Sequence, residues 1–536
     1  MSHKINSLSR IVKFVLLHMG KVTALNKPDH YGQALDEEIF VNQTYDVLII
    51  GAGLSGVGTA CHLARECPNK KVGIIERRER IGGTWDLFQY PGIRSDTDMI
   101  SFCFKFRLWD RLKVMADGKS LWQYINDTAK EYGVDKKVQF GLKTTAMDWS
   151  SSEQLWTVTA TQEATGEVKT YKAKFLVGAT GYYNYDQGYL PDFPGMDSYK
   201  GQRIHPQFWP KDLDYTGKRV VVIGSGATAV TVVPSMADKA AHVTMLQRSP
   251  SYVFSLPDFD AVSSVLLKFL PKSWVFGMAR KRNILVQRCM YLASKRWPEK
   301  ARAFLLSSVK KQLGPNADMT HFTPRYMPWD ERLCAVPDGD LFKAIREGKA
   351  SVVTDHIETF NEKGLKLKSG KQLDADIIIT ATGLQVQVLG GAQLSVDKQV
   401  RPLSAGMTYK GTLMQDIPNM AWIIGYTNAS WTLKADIAAT YICRLLKEMD
   451  AKGMAVAIPR APAGEMEDDT ILGSLGSGYV QRGKSQLPRQ GRNLPWRVLH
   501  HYGKDTEMLL NQPVNDGALE YLPSKEKATA PTALAA

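Results

Sequence analysis

Cysteine is scarce in this chain: 536 residues carry six, Cys61, Cys67, Cys103, Cys289, Cys334 and Cys443. No two have the two-residue spacing of a zinc knuckle or a redox dithiol, so no metal site is expected and a reducing compartment fits best. Long hydrophobic runs are missing too. The best stretch, Val262 to Met278, is interrupted by Lys268, Pro271 and Lys272, well short of the roughly 18 apolar residues of a membrane-spanning helix. Acids are almost absent from one segment: between Ala261 and Leu313, 12 Lys or Arg face the single Glu299, so this segment holds +11 of the chain's +14 charge. The rest is nearly neutral, which excludes a nucleic-acid-binding protein and leaves one local basic surface to explain.

What is there is ordinary for a folded protein, with 44% hydrophobic and 23% charged residues, 43 Gly and 25 Pro. The length implies two or three domains. The first 28 residues carry Lys4, Arg10, Lys13, Lys21 and Lys27 and no acid, with Ile5, Leu8, Val12, Val15 and Met19 at helical spacing. That pattern suits a helix packed on the domain behind it, an amphipathic surface helix or a mitochondrial transit peptide.

At Tyr45 an apolar run, Tyr45 to Ile50, opens into Gly51-Ala-Gly53-Leu-Ser55-Gly56 and a helical stretch. In such a strand–turn–helix unit Gly51 permits the tight turn, Gly53 lets backbone approach a pyrophosphate, and Gly56 lets helix and strand pack closely. Glu76 follows 20 residues after Gly56, at the end of the next apolar run, where a carboxylate accepts from a ribose 2′-OH and repels a 2′-phosphate. FAD or NAD belongs there. A second unit runs from Arg219 through Val220–Ile223 into Gly224-Ser225-Gly226-Ala227-Thr228-Ala229, and its second strand ends in Gln247-Arg248-Ser249. A guanidinium and a hydroxyl in place of the acid suit a 2′-phosphate, hence NADP(H).

FAD with NADPH means a flavoprotein oxidoreductase. The segment Ile81-Gly-Gly-Thr-Trp-Asp86 carries no cysteine where disulfide reductases need a redox pair, so dioxygen is the leading electron acceptor. The expected fold class is α/β, with two Rossmann-like dinucleotide-binding domains and a helical insertion in the second. The expected boundaries are an amino-terminal extension over 1–44, an FAD-binding domain over 45–186 and 384–523, and an NADP-binding domain over 187–252 and 330–383. The helical insertion spans 253–329, and the tail 524–536 is expected to be disordered.

Two longer motifs then resemble a known family, the type I Baeyer-Villiger monooxygenases. The fingerprint F-x-G-x-x-x-H-x-x-x-W-[P/D] stands as Tyr199, Gly201, His205, Trp209 and Pro210, with Tyr replacing Phe. The signature G-G-x-W-x-x-x-x-[F/Y]-P-G-x-x-x-D is met by Gly82, Gly83, Trp85, Tyr90, Pro91, Gly92 and Asp96. Segments such as Gly425–Trp431 and Ser477–Arg482 are similar to the branch containing the ethionamide-activating monooxygenase.

This resemblance implies an NADPH- and O2-dependent enzyme in which a C4a-peroxyflavin converts ketones to esters or lactones. The alternative is oxygenation of sulfur or nitrogen in thioethers, thioamides or amines. By the match, Arg332 would be the catalytic arginine, oriented by Asp96. Cofactor contacts would run along Thr84, Trp85, Asp86, Leu87, Arg94, Ser95 and Asp96, and His205 would have a conformational role. One departure is Glu331, where many relatives carry a lysine that contacts the 2′-phosphate. A rival reading is a flavin-bearing redox sensor or membrane-recruited binding protein that works through the basic segment. The expected location is cytoplasmic, with weak peripheral contact to anionic membrane through Val262–Lys311.

Overall fold

The computed structural model describes residues 44–525 apart from Ser474. The amphipathic and targeting readings of the first 28 residues, and nearly all of the tail expected to be disordered, lie outside the described residues.

The run Thr44–Ile50 forms a strand whose last four residues are fully buried. It lies parallel to Val72–Ile75 on one side and Val168–Gly178 on the other, with Ile50 level with Ile75 and Gly178. An unbroken apolar run suits a strand covered on both faces, as in a parallel sheet. Beside this parallel core the chain makes an antiparallel meander, Leu142–Ser150, Leu155–Gln162 and Val168–Gly178, whose alternating burial marks one covered face. The same sheet later takes in Gln393–Val396, parallel to Leu142–Ser150, and Met420–Trp422, parallel to Val168–Gly178. The helix Trp431–Lys452 follows and packs on the glycine-loop helix Leu54–Glu66.

The second sheet is wholly parallel, in the order Ala350–Thr354, His242–Gln247, Arg219–Ile223, Ile377–Thr380, Gln202–Ile204. Between the sheets the chain crosses twice. The outgoing strand Tyr183–Gly188 and the returning strand Leu384–Val386 pair antiparallel, so the two crossings form one ribbon.

From 253 to 329 the chain carries the helices Ala261–Leu266, Lys272–Arg296 and Pro298–Leu313. Within this span Val253–Leu256 is a strand, paired parallel with Cys334–Pro337. The partner lies on the far side of the helices, and local periodicity carries no signal for such a pairing.

Candidate active site

Both glycine loops open into one cavity of about 1030 Å³. At Gly51 φ is +106°, and a Cβ there would sit 2.6 Å from the Ala179 carbonyl oxygen; at Gly56 a Cβ would lie 1.8 Å from the Gly51 oxygen. Those two positions need glycine for packing. Gly53 serves differently: a Cβ there would meet only Gly83, 3.5 Å from its Cα, and a Cβ on Gly83 would lie 2.8 Å from the Gly53 Cα, so the two glycines let their backbones approach closely at the cavity wall. Gly53 also begins the helix Leu54–Glu66 without a side-chain cap, leaving amide N–H groups for an anion. The second loop repeats the design. Gly224 (φ +142°) packs against Ala381, whose oxygen would be 2.4 Å from a Cβ, whereas Gly226 meets nothing within 4 Å and precedes the uncapped helix Ala227–Met236.

Glu76 lines the cavity below the first loop. Its Oε2 accepts from the Ala52 N–H at 2.6 Å and its Oε1 from the Arg78 N–H at 2.8 Å. Burial pushes its pKa up against these two bonds, and each oxygen keeps a lone pair for a ligand hydroxyl. On the other side Arg248 and Ser249 stand exposed on the cavity wall at the end of His242–Gln247. Ser225 Oγ donates to the Ser249 carbonyl at 3.1 Å. Glu331 lines the same wall; burial raises its pKa, opposed by the nearby Arg248 charge.

Between the loops, Arg332 Nη1 lies 3.5 Å from Asp96 Oδ2. Burial alone would lower the pKa of this guanidinium, but the Asp96 carboxylate beside it raises it, so it is a fixed cation. Its buried Nε has no hydrogen-bond partner among the described residues. Asp96 caps no helix; Asp98 does so for Met99–Phe102, accepting from the Ser101 N–H at 2.8 Å.

The aromatic wall around Arg332 is what residue-by-residue reading missed. Tyr183 donates to the Tyr182 hydroxyl at 2.7 Å, and the Tyr182 ring stacks on Trp431 with centroids 5.4 Å apart. Trp431 Nε1 in turn donates to Ser55 Oγ of the first glycine loop at 2.8 Å. Tyr479 flanks Tyr182 at 6.3 Å. Burial pushes all three phenols up in pKa, so they remain neutral. The available signals were the placement of Tyr182 and Tyr183 directly after Ala179-Thr180-Gly181 and the family-like segments ending in Trp431 and containing Tyr479.

Thr84, Trp85, Arg94, Ser95, Ala227 and Thr228 also line the cavity. Arg94 is tied to Asp340 by a 2.5 Å contact. Gly56, Asp86, Leu87 and Ala229 stand behind the wall: Asp86 is buried and engaged by Arg78 and Arg80, each at 2.7 Å, and Leu87 and Ala229 belong to the core around the second sheet. The fingerprint residues lie outside the cavity wall as well. The Tyr199 hydroxyl donates to the Ala375 carbonyl at 2.9 Å, and Gly201 leaves room for that same hydroxyl. Trp209 packs on the second core, and Pro210 is exposed. His205 sits against the crossing ribbon, with Nε2 3.2 Å from the Gly383 carbonyl oxygen. Burial lowers its pKa.

A family model described as flavin-binding monooxygenase-like matches residues 44–389. The MymA protein of Mycobacterium tuberculosis is 59% identical over 485 residues, covering 90% of this chain and 98% of the relative. The FAD-containing monooxygenase EthA of Mycolicibacterium smegmatis is 49% identical over 483 residues, covering 90% and 98%. Among solved structures, an oxidized steroid monooxygenase bound to NADP superposes with a TM-score of 0.73 at 22% identity, covering 90% of this chain and 100% of that one. An open cyclohexanone monooxygenase gives 0.65 at 20% identity, covering 78% and 90%. These two share the fold. On the family match and the identity to its relatives, this chain belongs to the flavin-binding monooxygenase-like family.

Proposed function

We propose that this chain is an FAD- and NADPH-dependent monooxygenase that converts ketones to esters or lactones. The observation that carries this reading is the Arg332–Asp96 pair, held in one cleft with both glycine loops. The FAD-containing monooxygenase EthA and the NADP-bound steroid monooxygenase support the choice of cofactors.

The residues present fit both dinucleotides. The side-chain-free backbone at Gly53 and Gly83 and the uncapped helix behind it suit the pyrophosphate of FAD, and Glu76 suits its adenosine ribose. The open loop at Gly226 with Arg248 and Ser249 suits NADPH and its 2′-phosphate. When bound and reduced by NADPH, the flavin supplies two-electron activation of O2. Ketone, O2, NADPH and a proton then give ester, NADP+ and water.

The chain's own part is positional and electrostatic. Arg332 keeps its charge in a partly enclosed site, so it stabilises negative oxygen that develops during attack on the carbonyl. Asp96 orients the guanidinium, and its partial exposure keeps the contact adjustable. The Tyr182, Tyr183 and Tyr479 hydroxyls, neutral through burial, wall the cation without competing for its charge.

Incubation with NADPH, O2 and a panel of linear, cyclic and aryl ketones plus one thioether, with products read by mass spectrometry, tests the reading. An ester or lactone carrying one atom from 18O2 is expected. Sulfoxide without any ester would assign the activity to heteroatom oxygenation, which needs the same oxygen donor and no carbon migration.

A further inference from the structure

Large exposed apolar side chains are not spread evenly over this protein. Of the 19 among the described residues, 12 fall between Phe259 and Phe304. Phe269 is 78% exposed and Trp274 67% exposed, on either side of the start of the helix Lys272–Arg296. Along that helix Trp274, Met278, Lys281, Leu285, Arg288 and Leu292 are all exposed and recur every three or four residues, so they share one face. One exposed face therefore combines large apolar and cationic side chains.

The opposite face is firmly held. Val275, Phe276 and Ala279 are buried, and the buried Arg280 donates to the carbonyls of Ile100, Ser101 and Cys103. Asn283 donates to Asp98 at 2.8 Å, and Tyr291 packs edge-on against Trp329. The exposed face is therefore presented in one orientation, with its back toward the segments that carry Asp96 and Arg332.

Charge selects what covers this face. Lys281 and Arg296 on this helix, Lys268 in the turn before it and Lys300, Lys310 and Lys311 on the following helix are exposed and have no carboxylate partner among the described residues. The same face of a second copy carries the same sign and is repelled. We propose that this face docks on the surface of an anionic lipid bilayer, with Phe269 and Trp274 entering the headgroup region and the lysines reaching lipid phosphates. No helix of the described residues is long and apolar enough to cross a membrane, so the contact is peripheral. It is independent of the reaction proposed for the cleft.

The test uses the full chain with vesicles of phosphatidylcholine alone or with about one-third phosphatidylglycerol, read by co-sedimentation at low and at high salt. Binding to the anionic vesicles should exceed that to neutral ones by about tenfold or more and be released by salt. The triple variant Lys268→Glu, Lys281→Glu, Lys300→Glu should lose about tenfold or more. Phe269→Ser with Trp274→Ser should weaken binding while leaving its salt dependence, and unchanged thermal unfolding would show that each variant is folded. Equal binding to both vesicle types, or none to either, overturns the proposal. Wild-type binding by the triple variant overturns it in favour of the amino-terminal segment. Self-association that is lost in the Ser variant, without lipid binding, overturns it in favour of a second copy.

Discussion

Arg332 and Asp96 meet at 3.5 Å across the cleft, and each side chain keeps more than a third of its surface exposed. A pair so open to water contributes about 0–1 kcal/mol to stability. Its value is in where it holds a permanent positive charge.

Replacing Arg332 by Ala should leave flavin reduction by NADPH largely intact and remove ester formation. Loss of one preorganised oxyanion partner costs about 2.7–4 kcal/mol, or roughly two to three orders of magnitude in rate. Stopped-flow reduction and product yield separate the two steps, and hydrogen peroxide should replace ester among the products. Arg332→Lys should restore only part of the yield, because an ammonium lacks the planar fork.

Arg248 on the cavity wall has no carboxylate ion pair among the described residues. Arg248→Ala should raise the KM for NADPH far more than that for NADH, by the loss of a charge-assisted contact of about 1.5–3 kcal/mol. Steady-state kinetics with both coenzymes decide it: an equal change in the two values would remove Arg248 from 2′-phosphate recognition.

Glu331 stands on the same wall with its pKa raised by burial. The sign follows directly: a carboxyl with a raised pKa is protonated sooner as pH falls, so its repulsion of a 2′-phosphate fades on acidification. The preference for NADPH over NADH should therefore increase as pH is lowered toward the upper carboxylate range, and Glu331→Gln should show a stronger preference at neutral pH with a flatter profile. Identical pH profiles for wild type and variant would exclude this role.

His205 fills the space beside Gly188 on the crossing ribbon, where a Cβ would lie 1.9 Å from His205 Cε1. Gly188→Ala should destabilise the protein by about 1–3 kcal/mol through overpacking. The double variant with His205→Ala should lose less than the sum of the two single changes. Denaturant titration of the four proteins measures the coupling, and strict additivity would mean that the ring moves aside freely.

Local physics alone determined much of this protein. The apolar runs at Tyr45–Ile50 and Val220–Ile223 with their glycine turns specify strand, loop and helix within a few residues, because steric limits and backbone hydrogen bonds act over short chain distances. The same short-range limits place Glu76 and Arg248 directly after the strands Val72–Ile75 and His242–Gln247. Tertiary structure decided what depends on distant chain segments. Gly56 and Asp86 lie in motifs expected to contact cofactor, yet they serve the wall from behind, since only packing tells which side of a loop faces the cleft. Val253–Leu256 became a strand because Cys334–Pro337 was there to pair with it. The chain of contacts Ser55, Trp431, Tyr182 and Tyr183 joins residues from opposite ends of the sequence. Their shared wall around Arg332 exists only once the two sheets have closed on one cavity, because no local spacing encodes which distant aromatic rings will meet.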